Sequence, residues 1–210
     1  MLQDKFNSFS VTLKDLRSAR ASFEGYNKIV MALQGKEFTF EDKELKHYLR
    51  FKHSEPIGLL SILESNGFDD TLWTLRCLKG KDREIRLYTV WCARQVEHLM
   101  ADARSKNALL VAEKYANGEA SDEELEEARD AAYAAASDAA SDASYAASYA
   151  ASDAYAASDA AYAAYAASAA SDAASRAAAR DAASDVAREA QKEMLIKMLK
   201  GEAPWQVKQY

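Results

Sequence analysis

Hydrophobic positions recur at helical spacing along almost the whole chain. The clearest case is 82–101, where Ile85, Tyr88, Cys92, Val96 and Leu99 fall on one face with Trp91 at its margin, a stripe that belongs against a core. Leu72, Trp73, Leu75 and Leu78 supply a short apolar helix before it, and Ala108, Val111, Ala112 and Tyr115 another after it. The periodicity predicts helices over 11–34, 40–52, 55–66, 69–79, 82–101 and 104–117, then an alanine-rich region beginning near Asp122. Gly35, Gly67, Gly80, Gly118 and Gly201 fall where periodic segments end, as helix C-terminal residues do. Pro56, two residues after Ser54, suits a first helical turn. Thr39 with Asp42, and Ser121 with Glu124, read as N-terminal caps, the second an S-x-x-E capping box. No segment sustains period-two alternation between turn signals, so the expected fold is all-α with no sheet, and 38–40 is the nearest approach to a strand. Residues 55–130 read as consecutive helix hairpins in one bundle.

A different pattern takes over in the second half. Between 131 and 190, 32 of 60 residues are alanine, and Ala136, Ala140, Ala143, Ala147, Ala150, Ala154, Ala157, Ala161 and Ala164 alternate spacings of four and three. That heptad places them on one helical stripe. A second row holds Ser137, Ser141, Ser144, Ser148, Tyr155, Ser158, Tyr162 and Tyr165, and a third holds Asp138, Asp142, Tyr145, Tyr149, Ser152 and Asp159. A stripe of methyl groups lets another backbone approach closely, but each methyl contributes only about 0.8 kcal/mol, so the seam needs length and a partner helix. The stripe loses phase at Ser168, Ser171 and Ser175, and Ser171–Asp172 offers a cap. These features predict an antiparallel hairpin, 122–167 against 172–200, with Met194, Leu195, Met198 and Leu199 returning to the bundle; a single helix of about 120 Å is the alternative. The expected domains are a helical bundle over 1–120 and the alanine-rich hairpin over 121–210.

Charge sharpens this division. The net charge is −6, yet residues 1–120 carry 19 Lys and Arg against 17 Asp and Glu, whereas 121–210 carry 8 against 16. Such a balance lacks the clustered cations of a nucleic-acid surface. Cys77 and Cys92 sit in separate apolar patterns, read as buried free thiols of a reducing compartment, with a disulfide or a reactive thiol as the alternative. No secretory signal and no run of eighteen apolar residues is present, so the expected location is cytoplasmic, without a membrane span. His47, His53 and His98 lack metal-ligand spacing with a second His or Cys, and neither a phosphate-binding glycine loop nor a nucleophile elbow occurs. The expectation is therefore no catalytic residue, no metal and no cofactor.

The run Trp91-Cys92-Ala93-Arg94-Gln95-Val96-Glu97-His98-Leu99, followed by Asp102-Ala103-Arg104-Ser105, by Ala108 to Glu119 and by Ala128-Arg129-Asp130-Ala131-Ala132, carries a resemblance. It is similar to a family of alanine-rich immunity proteins of bacterial polymorphic toxin systems, and to uncharacterised bacterial and phage proteins. The similarity spans about residues 68–190, and beyond 131 it is one of composition. The resemblance implies a protein that binds and neutralises another protein. This chain departs from the family's Arg-containing alanine tract by using Ser, Asp and Tyr, which leaves the partner open.

Tyrosines interleaved with carboxylates give large contact area at low entropic cost, so Asp142, Tyr145, Tyr149, Asp153, Tyr155 and Tyr162 form the expected partner-binding flank. The plainer alternative is that the rings cover the alanine seam while Asp and Ser keep the outside wet. Imitation of nucleic-acid phosphates needs denser carboxylates than these. An assembly protein that oligomerises through the alanine stripe is the second functional reading. An ice-binding helix is the third, and it is disfavoured because no Thr follows Thr89.

Overall fold

The computed structural model describes residues 9–100, 102–139 and 182–207, and within them the chain is predominantly helical. It divides into two compact units, Met1–Leu78 and Lys79–Tyr210.

The first unit opens on strand β1 (Ser10–Val11), then α1 (Leu13–Ser18), α2 (Phe23–Leu33) and α3 (Phe40–Lys43). After an irregular stretch come β2 (Ile57–Gly58), α4 (Leu59–Asn66), α5 (Phe68–Thr74) and a 3₁₀ turn, Leu75–Cys77. Its core gathers Phe9, Leu13, Leu16, Tyr26, Ile29, Val30, Leu59, Ile62, Leu72 and Leu75, all buried.

Four expectations are corrected here. The helix expected over 11–34 is two helices, because a Thr12–Asp15 capping box starts α1, the chain reverses at Arg20 (φ 61°) and Ser22 accepts the Gly25 N–H to start α2. Leu13, Leu16, Tyr26, Ile29 and Val30 keep three-and-four spacing within each piece, so periodicity alone reads across the break. The helix expected over 40–52 stops at Lys43, since the chain beyond it takes its hydrogen bonds from other elements: the Asn27 side chain donates to the His47 carbonyl (3.0 Å) and accepts the Leu49 N–H (2.9 Å), and the Tyr48 hydroxyl donates to the Ala21 carbonyl (2.6 Å). The helix expected over 55–66 begins at Leu59, leaving Pro56 outside it, because Ile57 and Gly58 pair antiparallel with Val11 and Ser10 and Leu59 N–H donates to the Phe9 carbonyl at 3.1 Å. This two-residue pairing overturns the absence of a sheet. Two residues a side are too few for a period-two pattern to register.

The second unit holds α6 (Asp82–Arg94), a 3₁₀ turn (Glu97–Leu99), α7 (Ala103–Ala116), α8 (Asp122–Ala139) and α9 (Ala182–Lys200). Ile85, Tyr88, Cys92 and Val96 are buried as the periodicity requires, and Trp91 is half-buried. Between α7 and α8, Gly118 (φ 75°) lets Glu119 N–H reach the Lys114 carbonyl (2.8 Å) and its own N–H reach Tyr115 (3.0 Å), closing the α7 end in a Schellman motif. Ser121 then accepts the Glu124 N–H (3.2 Å) while the Glu124 carboxylate accepts the Ser121 N–H (2.7 Å), and this capping box starts α8.

Leu125 is buried with Val90 and Ala112, and Ala132 with Ala108, so α8 belongs to the same bundle as α6 and α7. The two compact units divide after Leu78. Met194, Leu195, Met198 and Leu199 are buried, and α9 packs on α6, where the Tyr88 hydroxyl donates to the Gln191 carbonyl at 3.2 Å. That return to the bundle is the one expected of the C-terminal helix. The break expected near 168–171 lies outside the described residues.

Candidate functional site

The expected partner-binding residues, Asp142, Tyr145, Tyr149, Asp153, Tyr155 and Tyr162, lie outside the described residues. So does the alanine stripe from Ala140 onward, while Ala136 falls in α8. What the structure brings together is the helix that leads into them. α8 has two unlike faces. Leu125, Ala128 and Ala132 are buried in the bundle, and the small side chains at Ala108, Ala112, Ala128 and Ala132 allow α7 and α8 to approach closely. On the other face Asp122, Glu123, Glu124, Glu126, Glu127 and Asp130 are exposed, and Tyr133 keeps 42% of its surface in solvent. One cation moderates this acidity: Arg129 pairs with Asp130 (3.0 Å) and Glu126 (3.5 Å).

Neighbouring elements hold that helix in place. The Tyr115 hydroxyl donates to the Asp122 carboxylate at 2.6 Å, and the Arg86 guanidinium lies 4.9 Å over the Tyr115 ring. Arg94 pairs with Glu97 (3.0 Å) and with Glu113, and although burial works against its charge, the two carboxylates raise its pKa above the ordinary arginine value. At the start of α7 the Arg104 side chain and backbone N–H both donate to Asp102, holding that carboxyl below its ordinary range. The sequence places Asp102 and Arg104 in the run that carries the family resemblance. In the structure they cap a helix.

Neither cysteine is set up as a nucleophile. Burial pushes the Cys77 thiol up to about 11 and the Cys92 thiol up to about 12, so both stay protonated near neutrality. Both cysteines are buried and unpaired with each other, as expected. His47 and His98 are exposed, His53 is half-buried, and among the described residues no group of three or more His, Cys, Asp or Glu is placed to hold a metal ion. No described helix is long and apolar enough to cross a membrane.

In the first unit a cavity of about 220 Å³ is lined in part by Gly25, Tyr26, Asn66, Asp70 and Trp73. The Asn66 amide donates to the Gly25 carbonyl (2.8 Å) and to the Asp70 carboxylate (2.7 Å), and a Cβ on Gly25 would lie 3.0 Å from Asp70 Oδ2. The bare glycine thus admits a polar tie that joins α2 to α4 and α5, a structural use of the Asp70 carboxylate. A basic feature that sequence reasoning passed over is the 46–53 run, Lys-His-Tyr-Leu-Arg-Phe-Lys-His, whose signal is the interleaving of cations with rings. No protein family, curated protein or solved structure matches the chain.

Proposed function

We propose that this protein works by binding and neutralising another protein, as an immunity or phage anti-defence protein does, and carries out no chemistry itself. The observation that supports this reading is the two-faced α8: one side is committed to the bundle, and the other presents six exposed carboxylates and Tyr133. That outward face runs in sequence straight into the Tyr- and Asp-bearing rows that begin at Asp138. A face of this chemistry fits a cationic protein surface, with the carboxylates steering approach and the tyrosines anchoring the contact.

The test is quantitative capture by the full chain and by the Tyr145→Ala/Tyr149→Ala variant. A partner retained by the parent and weakened about thirtyfold, roughly 2 kcal/mol, in the double variant supports the reading, and helicity is expected to hold because Ala is the better helix former. Undiminished capture with the fold intact rejects the flank as the site.

A second reading, assembly through the alanine stripe, draws on the Ala132–Ala108 contact. α7 starts at Ala103, so it has little length left to pair with a longer seam. On that reading the protein is a stable oligomer, and Ala147→Leu or Ala154→Leu, by overpacking the seam, converts it to monomer. A parent chain that is monomeric in solution removes this reading.

A further inference from the structure

We propose that the 46–53 strip of the first unit is a binding surface for single-stranded nucleic acid. Its charge is concentrated: Lys46, Arg50 and Lys52 are exposed, no carboxylate lies among the eight residues, and none of these three cations has an ion-pair partner among the described residues. Of the neighbouring carboxylates, Glu24 is held by Lys28 (3.1 Å) and Lys43 (3.9 Å), and Asp42 accepts from Thr39 (2.8 Å). Glu44 and Glu55 bracket the strip without entering it.

Flat rings alternate with those cations. The Phe51 and His53 rings stack with centroids 5.8 Å apart and 8° between planes, and Tyr48 meets Phe23, itself 38% exposed, edge-on at 4.8 Å. Cations for phosphates beside ring faces for bases are what unpaired nucleotides require, because every base has a face to stack and every linkage a charge to neutralise. A duplex hides its base faces and leaves the rings nothing to stack on. The strip spans at most about 29 Å, enough for about four nucleotides.

It is also fixed in advance. The Asn27 side chain, fully buried, clasps the backbone at His47 and Leu49, and Tyr48 is tied to the Ala21 carbonyl beside exposed Arg20. A segment without helix or strand is thereby ordered by folding, so less ordering is left for binding to supply. The net charge of −6, which disfavours a broad nucleic-acid surface, does not reach this locality: residues 1–78 carry 11 basic and 11 acidic side chains, and the whole excess of acid falls in 79–210, with 16 against 22.

The experiment is fluorescence polarisation of the full chain with a labelled oligothymidylate of about fifteen nucleotides, alone and annealed to its complement. Three phosphate contacts predict a loss of roughly twentyfold in single-strand affinity between about 50 and 200 mM salt. Arg50→Ala/Lys52→Ala should weaken binding tenfold or more at the lower salt and flatten the salt dependence. Phe51→Leu should weaken it about fivefold or more while leaving the salt slope unchanged, since a lost stacking contact is not a lost charge. The exposed pair Lys106→Ala/Lys114→Ala in the second unit should change nothing. Equal affinity for the duplex, tighter binding of polyglutamate or of anionic vesicles, or full binding by the folded Arg50→Ala/Lys52→Ala protein would each overturn the proposal.

Discussion

The two units solve the same packing problem with different materials. In the second, long helices meet through small side chains, as at Ala108 and Ala132, and the backbone satisfies itself within each helix. In the first, helices are short, the core relies on large residues such as Tyr26, Leu16 and Ile62, and irregular backbone is held by buried or half-buried polar side chains reaching across the fold: Asn27, Tyr48 and Asn66. The difference separates two ways of presenting a surface. A helix face repeats one chemistry along its length, which suits an extended contact; a clasped loop places unlike groups side by side at one spot.

The comparison breaks most severely where each unit depends on a single side chain. Leu125→Ala, at a fully buried position among Val90 and Ala112, is expected to cost about 2–5 kcal/mol in denaturant unfolding, whereas truncation of Leu110, 45% exposed, should cost less than about 0.5 kcal/mol. In the first unit the matching loss is polar. Asn27→Ala strands the His47 carbonyl and the Leu49 N–H, for about 2–3 kcal/mol, and hydrogen exchange at the Leu49 amide should accelerate ahead of global unfolding. Asn27→Asp should not restore stability, because a carboxylate set against the His47 carbonyl has no proton to donate.

A smaller effect tests how dry the second unit's core is. The Cys92 thiol is raised to about 12 in the folded protein, so its contribution is fully present below the unfolded thiol's pKa, near 8.5, and is lost as pH rises toward 12. Stability should fall as pH rises above about 9, with Cys77, raised to about 11, sharing in the loss, and Cys92→Ala should make that fall shallower. Smallest of all, Ser121→Ala should cost about 1 kcal/mol by removing the cap of α8, and Ser148→Ala, on the row beside the stripe, less than about 0.5 kcal/mol. Equal losses at Leu125 and Leu110, or an alkaline profile unaffected by Cys92→Ala, would show that the bundle is not packed as described.

Some of this was legible without tertiary structure. The buried face of α6, the glycines that end helices at Gly35, Gly67, Gly118 and Gly201, the caps at Thr39 and Ser121, and the return of Met194 to Leu199 to the core all follow from local rules: spacing of three and four, a backbone conformation only glycine adopts cheaply, and a side chain that satisfies its own helix terminus. The Tyr- and Asp-bearing rows were legible as a pattern, and what they contact was not, because a row of side chains states a chemistry without naming what completes it. What tertiary structure alone decided is where hydrogen bonds left open by one segment are closed by another. The chain strays from helix after Lys43 and pairs Val11 with Ile57 because Asn27, Tyr48 and Phe9 supply or take partners from 20 to 50 residues away, and a short-range pattern carries no record of partners so distant in sequence.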